Sequence, residues 1–343
     1  MISIKVKASK TYEVSVTQDF NDLRQVVDGV KSGDKIAVIT DTNVEKLYLS
    51  SVIDALEGFD VSVHTIEAGE SSKNLSTYCT LIQDIASSSL DRSDMIITLG
   101  GGVVGDIGAF VASTYLRGIR LVAIPTSLLS MIDSSIGGKT AVDLPIGKNM
   151  VGTFYQPNAV YINVSCIDTL PTRELMSGYG ELVKYAILDD RISVDDMKVL
   201  DSSLIAKAVS IKRDIVETDG YEGGLRKLLN LGHTIGHAVE SLSNYTLSHG
   251  ECVVKGLKAI LDISSRYYDM NDSDYTELDS IIRMLGHDCT MPYSVDEVID
   301  YVYRDKKKKG DLIDIVLIKA KGEVEIVSMP IDKVRRYLSE YQD

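Results

Sequence analysis

The sequence has 343 residues, of which 44% are apolar and 25% charged; this excludes disorder and a small disulfide scaffold and leaves room for two domains. A net charge of -14 argues against general binding to nucleic acid or an anionic membrane, so any bound anion must meet a local basic cluster. No stretch has the uninterrupted apolar length of a membrane span, the start lacks a signal-peptide pattern, and the four cysteines form no CxxC pair; buried thiols in a cytoplasmic protein are expected.

The first residues, MISIKVKASKTYEVSV, alternate like a strand. KIAVIT (35–40) is a β-branched apolar run, closed by a turn and helix cap at Asp41-Thr42-Asn43. A helical pattern follows, then a strand at 61–66, a turn at 69–73, a helix to about residue 87 and a buried strand at 95–99. Glycines, another helix and a strand at 119–125 come next. Strands separated by single helices predict a largely parallel sheet whose ligands bind beyond the strands' carboxyl ends. From about residue 166 helical periodicity dominates, in segments at 170–188, 202–219, 225–243 and 249–268, until a hairpin pattern at 311–329. The expected organisation is an α/β, Rossmann-like N-terminal domain (1–165) and a mainly α-helical C-terminal domain (166–343), with a cleft between them as the default active site.

Gly100-Gly101-Gly102-Val103-Val104-Gly105 satisfies G-x-G-x-x-G between a strand and a helix, where backbone N–H groups can receive a pyrophosphate. The loop follows a late strand and has no acid about 20 residues on, unlike an ordinary dinucleotide fingerprint; Asp41 or Asn43 could hold adenosine hydroxyls instead. A tight, closely packed strand–helix turn explains the same glycines. Gly138-Lys139-Thr140 looks like the end of a phosphate loop, but Asp133 stands where that motif needs glycine, which rejects it.

His233 and His237 form an i,i+4 pair, and His249 follows a short loop. Imidazoles on one face with a carboxylate, for which Glu181 is the best candidate, suit Zn²⁺ or a similar cation at an open catalytic site. Helix caps or satisfied core histidines are the plainer alternative. Arg117, Lys139, Lys148, Lys184, Lys212 and Arg226 fall in or beside these segments and point to an anionic substrate, although each alone reads as a solvated cation. The run Lys306 to Lys309 reads as a loop able to deliver one lysine to a phosphate.

Taken together, the sequence resembles the 3-dehydroquinate synthase family. The matching segments are GESSKN, GGGVVGDIGAFVASTYLRGI, IPTSLLSMIDSSIGGKTAVDLPIGKNMVGTFYQP, LPTRELMSGYGELVKYAIL, GLRKLLNLGHTIGHAVE, SHGECVVKG and DKK, in order from residue 69 to 307. The resemblance implies a homodimer using NAD and a divalent metal, Zn²⁺ or Co²⁺. It implies conversion of a phosphorylated sugar acid, 3-deoxy-D-arabino-heptulosonate 7-phosphate, into 3-dehydroquinate and phosphate. The implied steps are transient oxidation, phosphate elimination, re-reduction, ring opening and aldol closure.

By the same resemblance, Glu181, His233 and His249 are the metal ligands, and His237 moves a proton near the substrate. Lys139, Asn149, Arg226, Asn230 and Lys306 are implied substrate and phosphate contacts, with Arg117 reaching in from a neighbouring subunit. Lys184 and Lys212 would meet the substrate's carboxylate or reacting hydroxyl, and Asp133 faces it. Gly101, Gly102, Val103, Val104, Gly105, Asp106, Thr126, Ser127, Lys139, Lys148 and Cys166, Ile167, Asp168, Thr169 are implied NAD contacts, with Asp41, Asn43, Glu70 and Lys73 on the adenosine side. A metal-dependent polyol dehydrogenase, a related sugar-phosphate cyclase and a non-catalytic nucleotide-binding module are the competing readings.

Overall fold

The computed structural model describes residues 1–27, 34–219, 224–306 and 312–339; the side chains of 304–306 lie outside that description. The chain opens with a hairpin of β1 (Ile2–Lys7) and β2 (Thr11–Thr17) and a short α1 (Leu23–Val26). Strand–helix alternation follows: β3 (Lys35–Asp41), α2 (Val44–Ala55), β4 (Asp60–Ile66), α3 (Leu75–Ser87), β5 (Met95–Gly100), α4 (Gly102–Thr114) and β6 (Arg120–Pro125). A second hairpin, β7 (Lys139–Leu144) and β8 (Gly147–Phe154), precedes β9 (Ala159–Asn163).

Seven of these strands form one sheet in the order β1-β2-β9-β6-β5-β3-β4. Only β1 runs antiparallel to its neighbour. Every residue of β5 and β9 is buried, as a strand covered on both faces must be, and this is why MIITL at β5 does not alternate. The strands expected at 35–40, 61–66, 95–99 and 119–125 are present. The β7–β8 hairpin and β9 carry no signal of the same strength: outward-facing β8 is mostly exposed, so its sequence is polar.

The chain then runs through α5 (Thr172–Leu188) and α6 (Ser202–Thr218). Two compact units result: Met1–Leu170 with Asp201–Gly220, and Pro171–Leu200 with Tyr221–Asp343. The division therefore crosses the chain three times, where a single boundary at 165/166 was expected. The physical cause is α6, which buries Leu204, Ile205, Ala208 and Val209 and joins the first unit, where Lys7 N–H donates to Glu217 Oε1 at 2.6 Å. Helical periodicity alone could not say which unit would receive that apolar face.

The second unit adds α7 (His233–Leu242), α8 (His249–Tyr268), α9 (Asp272–Arg283), α10 (Val295–Lys306), the hairpin β10 (Leu312–Ala320) and β11 (Glu323–Pro330), and α11 (Ile331–Ser339). α8 is buried at Gly250 and from Cys252 to Ser264, and Ser248 with Glu251 forms a capping box at its start. The helix expected over 225–243 is broken at Leu231 and Gly232, whose φ of 78° ends a 3₁₀ turn before α7 begins. Among the described residues, no helix is long and apolar enough to cross a membrane.

All four cysteines are free, but Cys79 is exposed, which corrects the expectation that every thiol is buried. It sits on the solvent face of α3, whose other face buries Leu81 and Ile85. Cys166 is the opposite case, since burial pushes its thiol up to about 12. The native protein is expected to give one fast-reacting thiol, at Cys79, and four after denaturation; a second fast thiol in the native state would contradict these burials.

Candidate active site

The first unit gathers its candidates at the carboxyl ends of adjacent strands. Asp41 ends β3, Gly101 follows β5, Thr126 follows β6, and the 3₁₀ turn Val164–Thr169 follows β9. A doubly wound sheet places ligands at that edge. The glycines there do different jobs. A Cβ on Gly100 would sit 2.6 Å from the Val104 side chain, so this glycine serves close packing, the plainer reading of the motif. Gly105 has nothing within 4 Å, and Gly102 has only Ser134 Oγ at 3.5 Å, so the first turn of α4 keeps room for a ligand at its N–H groups. Val104 and Ile167 bury their side chains, which leaves only their backbone for any ligand.

Beside this turn lies a compact polar cluster. Lys73, 5% exposed, reaches Asp106 at 2.6 Å and donates to Asn149 Oδ1 at 2.6 Å. Glu70 stands 3.7 Å from Lys148. Burial would lower Lys73, yet Asp106 and Glu70 hold it above the ordinary lysine value, so it stays charged. Asn149, expected among the substrate contacts, thus sits with the residues expected on the adenosine side, at a φ of 55°. Asp143 N–H bonds the Lys73 carbonyl, and the Asp143 side chain accepts from Asn149 N–H at 2.7 Å; sequence reasoning missed this residue.

Asp41 Oδ1 accepts from the N–H groups of Asn43 and Val44 and so turns the chain into α2, while Asn43 at the N-cap makes no side-chain capping bond. Tyr48 OH bonds the Cys166 carbonyl at 3.2 Å and also Thr169. Ser127 Oγ lies 2.9 Å from Ser130 Oγ. Lys139 lines a pocket with Gly101, Gly105, Asp106, Ser130 and Ser134. Lys212 pairs with Asp133 at 3.0 Å within the same unit. Arg117 is exposed in a turn where Leu116, Arg117 and Gly118 all take positive φ.

The second unit builds the histidine site. Glu181 on α5 is 1% exposed, and its Oε1 lies 3.0 Å from His233 Nε2 and 3.2 Å from His249 Nε2. Its other oxygen pairs with Lys184, itself 1% exposed. The candidate ligand atoms of His233, His237 and His249 all lie within 4.8 Å of one another. Arg226 is fully buried in this unit, while the side chain of Lys306 lies outside the described residues. Glu240, which the sequence reading missed, places Oε2 3.4 Å from His249 Nδ1. Its spacing of three from His237 on α7 was the available signal.

Both expected histidine ligands have acceptors at both ring nitrogens. His233 Nδ1 faces the Leu231 carbonyl at 3.0 Å, and His249 Nδ1 faces Glu240, while each Nε2 faces Glu181. A neutral imidazole has one N–H, so each ring needs either a second proton or a cation between Nε2 and the carboxylate. Burial alone would lower His249, but its bonds to Glu181 and Glu240 raise it to about 10. Burial would raise Glu181, yet Lys184 and His233 hold it well below the carboxylate range. Burial, reinforced by the two neighbouring imidazoles, pushes His237 down to about 3, so this ring is neutral near pH 7.

The helices meet here through glycine. A Cβ on Gly180 would collide with the backbone of Gly250, and one on Gly250 with that of Ser177. A Cβ on Gly236 would lie 2.8 Å from the Cys252 carbonyl oxygen, and one on Gly256 would strike the Gly232 carbonyl. Glu181, His233, His237 and His249 each stand next to one of these glycines in sequence.

The 3-dehydroquinate synthase N-terminal family model matches residues 63–177 and the C-terminal model residues 178–308. A 3-dehydroquinate synthase of Latilactobacillus sakei subsp. sakei is 43% identical, covering 96% of this chain and 95% of its own. The chain belongs to the 3-dehydroquinate synthase family. It is an enzyme, and its activity is that of a 3-dehydroquinate synthase. Two solved structures share the fold of this family member. A 2-deoxy-scyllo-inosose synthase complexed with carbaglucose-6-phosphate, NAD⁺ and Co²⁺ superposes with a TM-score of 0.89 at 23% identity, covering 99% of this chain and 100% of that one. A 2-epi-5-epi-valiolone synthase from Streptomyces hygroscopicus with NAD⁺ and Zn²⁺ bound gives 0.86 at 22%, covering 99% of each chain.

Proposed function

We propose that this 3-dehydroquinate synthase works as a phosphate-eliminating lyase on 3-deoxy-D-arabino-heptulosonate 7-phosphate, with bound NAD⁺ and a divalent cation, Zn²⁺ or Co²⁺. The observation that carries the cofactor reading is the double acceptor pattern at His233 and His249 around the Glu181 carboxylate. One divalent cation balances that donor set as two ring protons would, and the set is of the imidazole and carboxylate type that zinc takes. Bound, NAD⁺ supplies a hydride acceptor and the cation a Lewis acid for a substrate hydroxyl. The same two cofactors in the inosose and valiolone synthases support the reading.

The chain's own groups then have separate tasks. Glu181, His233 and His249 hold the cation. His237, kept neutral, exchanges a proton through its ring nitrogen. The N–H groups at the start of α4 receive the pyrophosphate, and Lys73 with Lys148 adds positive charge there. Lys139, Arg226, Asn230 and Lys306 fix the phosphate, so that position and charge carry the elimination. Lys184, Lys212 and Asp133 orient the substrate's carboxylate and hydroxyls. Asn149 is assigned to both ligands through Lys73. The working form is a cytoplasmic homodimer in which Arg117 serves the neighbouring site, consistent with its exposed turn.

The test is one assay on the NAD-loaded enzyme with the heptulosonate phosphate. Phosphate and 3-dehydroquinate, identified by mass, are expected in equal amounts with no net NADH. Steady NADH accumulation would instead mean a polyol dehydrogenase, and a cyclitol product a different sugar-phosphate cyclase.

A further inference from the structure

The acceptor on His249 Nδ1 is not a backbone group, as it is for His233, but a second buried carboxylate. Glu240 is 8% exposed, on α7, and its Oε2 lies 3.4 Å from that nitrogen. The opposite ring nitrogen, Nε2, faces Glu181 Oε1 at 3.2 Å. The Glu240 backbone carbonyl is engaged separately, by Ser243 Oγ and Tyr245 N–H. Carboxylates are rarely buried without a task, since desolvation opposes them.

We propose that Glu240 is a positioning residue of the cation site: it accepts a hydrogen bond from His249 Nδ1–H and so fixes the tautomer whose Nε2 lone pair is free for a metal. The Leu231 carbonyl does the same for His233. A carbonyl cannot donate, and neither can an ionised carboxylate, so both partners demand a proton on Nδ1. Without Glu240 the His249 ring can move its proton to Nε2, toward Glu181, and the lone pair then points away from the site. The negative charge of Glu240 also makes the ring a stronger donor to a cation, which a neutral carbonyl does less well. His237 has no hydrogen bond among the described residues, so its ring is not set in this way.

This inference rests on the cofactor reading above, and the experiment separates the two. Metal-free enzyme is titrated with Co²⁺, following the visible d–d absorption, alongside NAD⁺ binding as a control. Glu240→Ala is expected to weaken Co²⁺ on the order of 10–100-fold and to alter the spectrum, with NAD⁺ affinity retained. Glu240→Gln keeps an acceptor oxygen and should recover part of the loss. Wild-type affinity and spectrum in Glu240→Ala would overturn the role of Glu240 and leave the cofactor reading standing, as would equal losses in both variants. A wild type that takes up no Co²⁺ would overturn both. Should Glu240→Ala fail to fold, long-range proton–nitrogen NMR of the Zn²⁺-loaded wild type decides: a proton on His249 Nδ1 is expected, and one on Nε2 refutes the proposal.

Discussion

Glu181→Gln is expected to lose both activity and stability, for two separable reasons. The carboxylate is the common partner of His233 and His249, at 3.0 and 3.2 Å, and it neutralises Lys184 at a depth where both side chains are 1% exposed. Replacing it by an amide removes the anionic ligand. If the cation contributes several kcal/mol to the transition state, kcat should fall by about three orders of magnitude or more. The second cost has nothing to do with catalysis. Lys184, 1% exposed, loses the carboxylate that pairs with it, and breaking a buried pair from one side costs about 3–5 kcal/mol. The double variant Glu181→Gln with Lys184→Met should regain most of that stability, because an apolar side chain no longer needs a partner, while activity stays lost. Chemical denaturation and metal content measured together check this. A stable, metal-loaded single variant would remove Glu181 from the ligand set. His237→Ala supplies the contrast, since it should keep its metal and slow turnover.

Much of this site was legible in the sequence because its chemistry is carried by local words. HTIGH and SHGE announce three imidazoles, and GYGE supplies the carboxylate. The strands of the sheet were legible for a similar reason, since β5 is buried throughout and its run MIITL can be read without partners; β9, equally buried but only five residues long, was not read. What stayed hidden depends on who packs against whom. The β7–β8 hairpin pairs with itself, shows a mostly exposed second strand and therefore lacks an apolar signature. The membership of α6 is decided by its receiving surface, not its own periodicity. Glu240 looked like any helix-surface acid until α8 delivered His249 Nδ1 to it. Asn149 and Lys73 are 76 residues apart and meet only because the hairpin brings Asp143 back to the Lys73 backbone. One local signal was available and unused: each of the four site residues adjoins a glycine.

That adjacency has a mechanical meaning. Gly250→Ala is expected to destabilise the protein by about 2–3 kcal/mol and to weaken metal binding in the same step. The added methyl would lie inside the Ser177 backbone, whose Oγ now accepts from Gly250 N–H at 3.2 Å. Backbone atoms in the middle of α5 cannot swing aside as a flexible side chain can, so the first turn of α8 has to retreat. His249 is the neighbouring residue and retreats with it, while Glu181, held one residue from Gly180 on α5, stays behind. The 3.2 Å separation between them would widen by a sizeable part of the overlap. A site of this kind tolerates displacements of only a fraction of an ångström before ligand geometry fails. Gly105→Ala provides the matching control on fold stability: its methyl meets nothing within 4 Å and sits in a helix, where alanine is favoured over glycine by about 0.5–1 kcal/mol. Melting temperature and Co²⁺ affinity should therefore fall together in Gly250→Ala, whereas Gly105→Ala should melt no lower than the wild type. If Gly250→Ala instead kept its Co²⁺ affinity while losing stability, the glycine contact would serve packing alone and the ligands would be positioned by their hydrogen bonds.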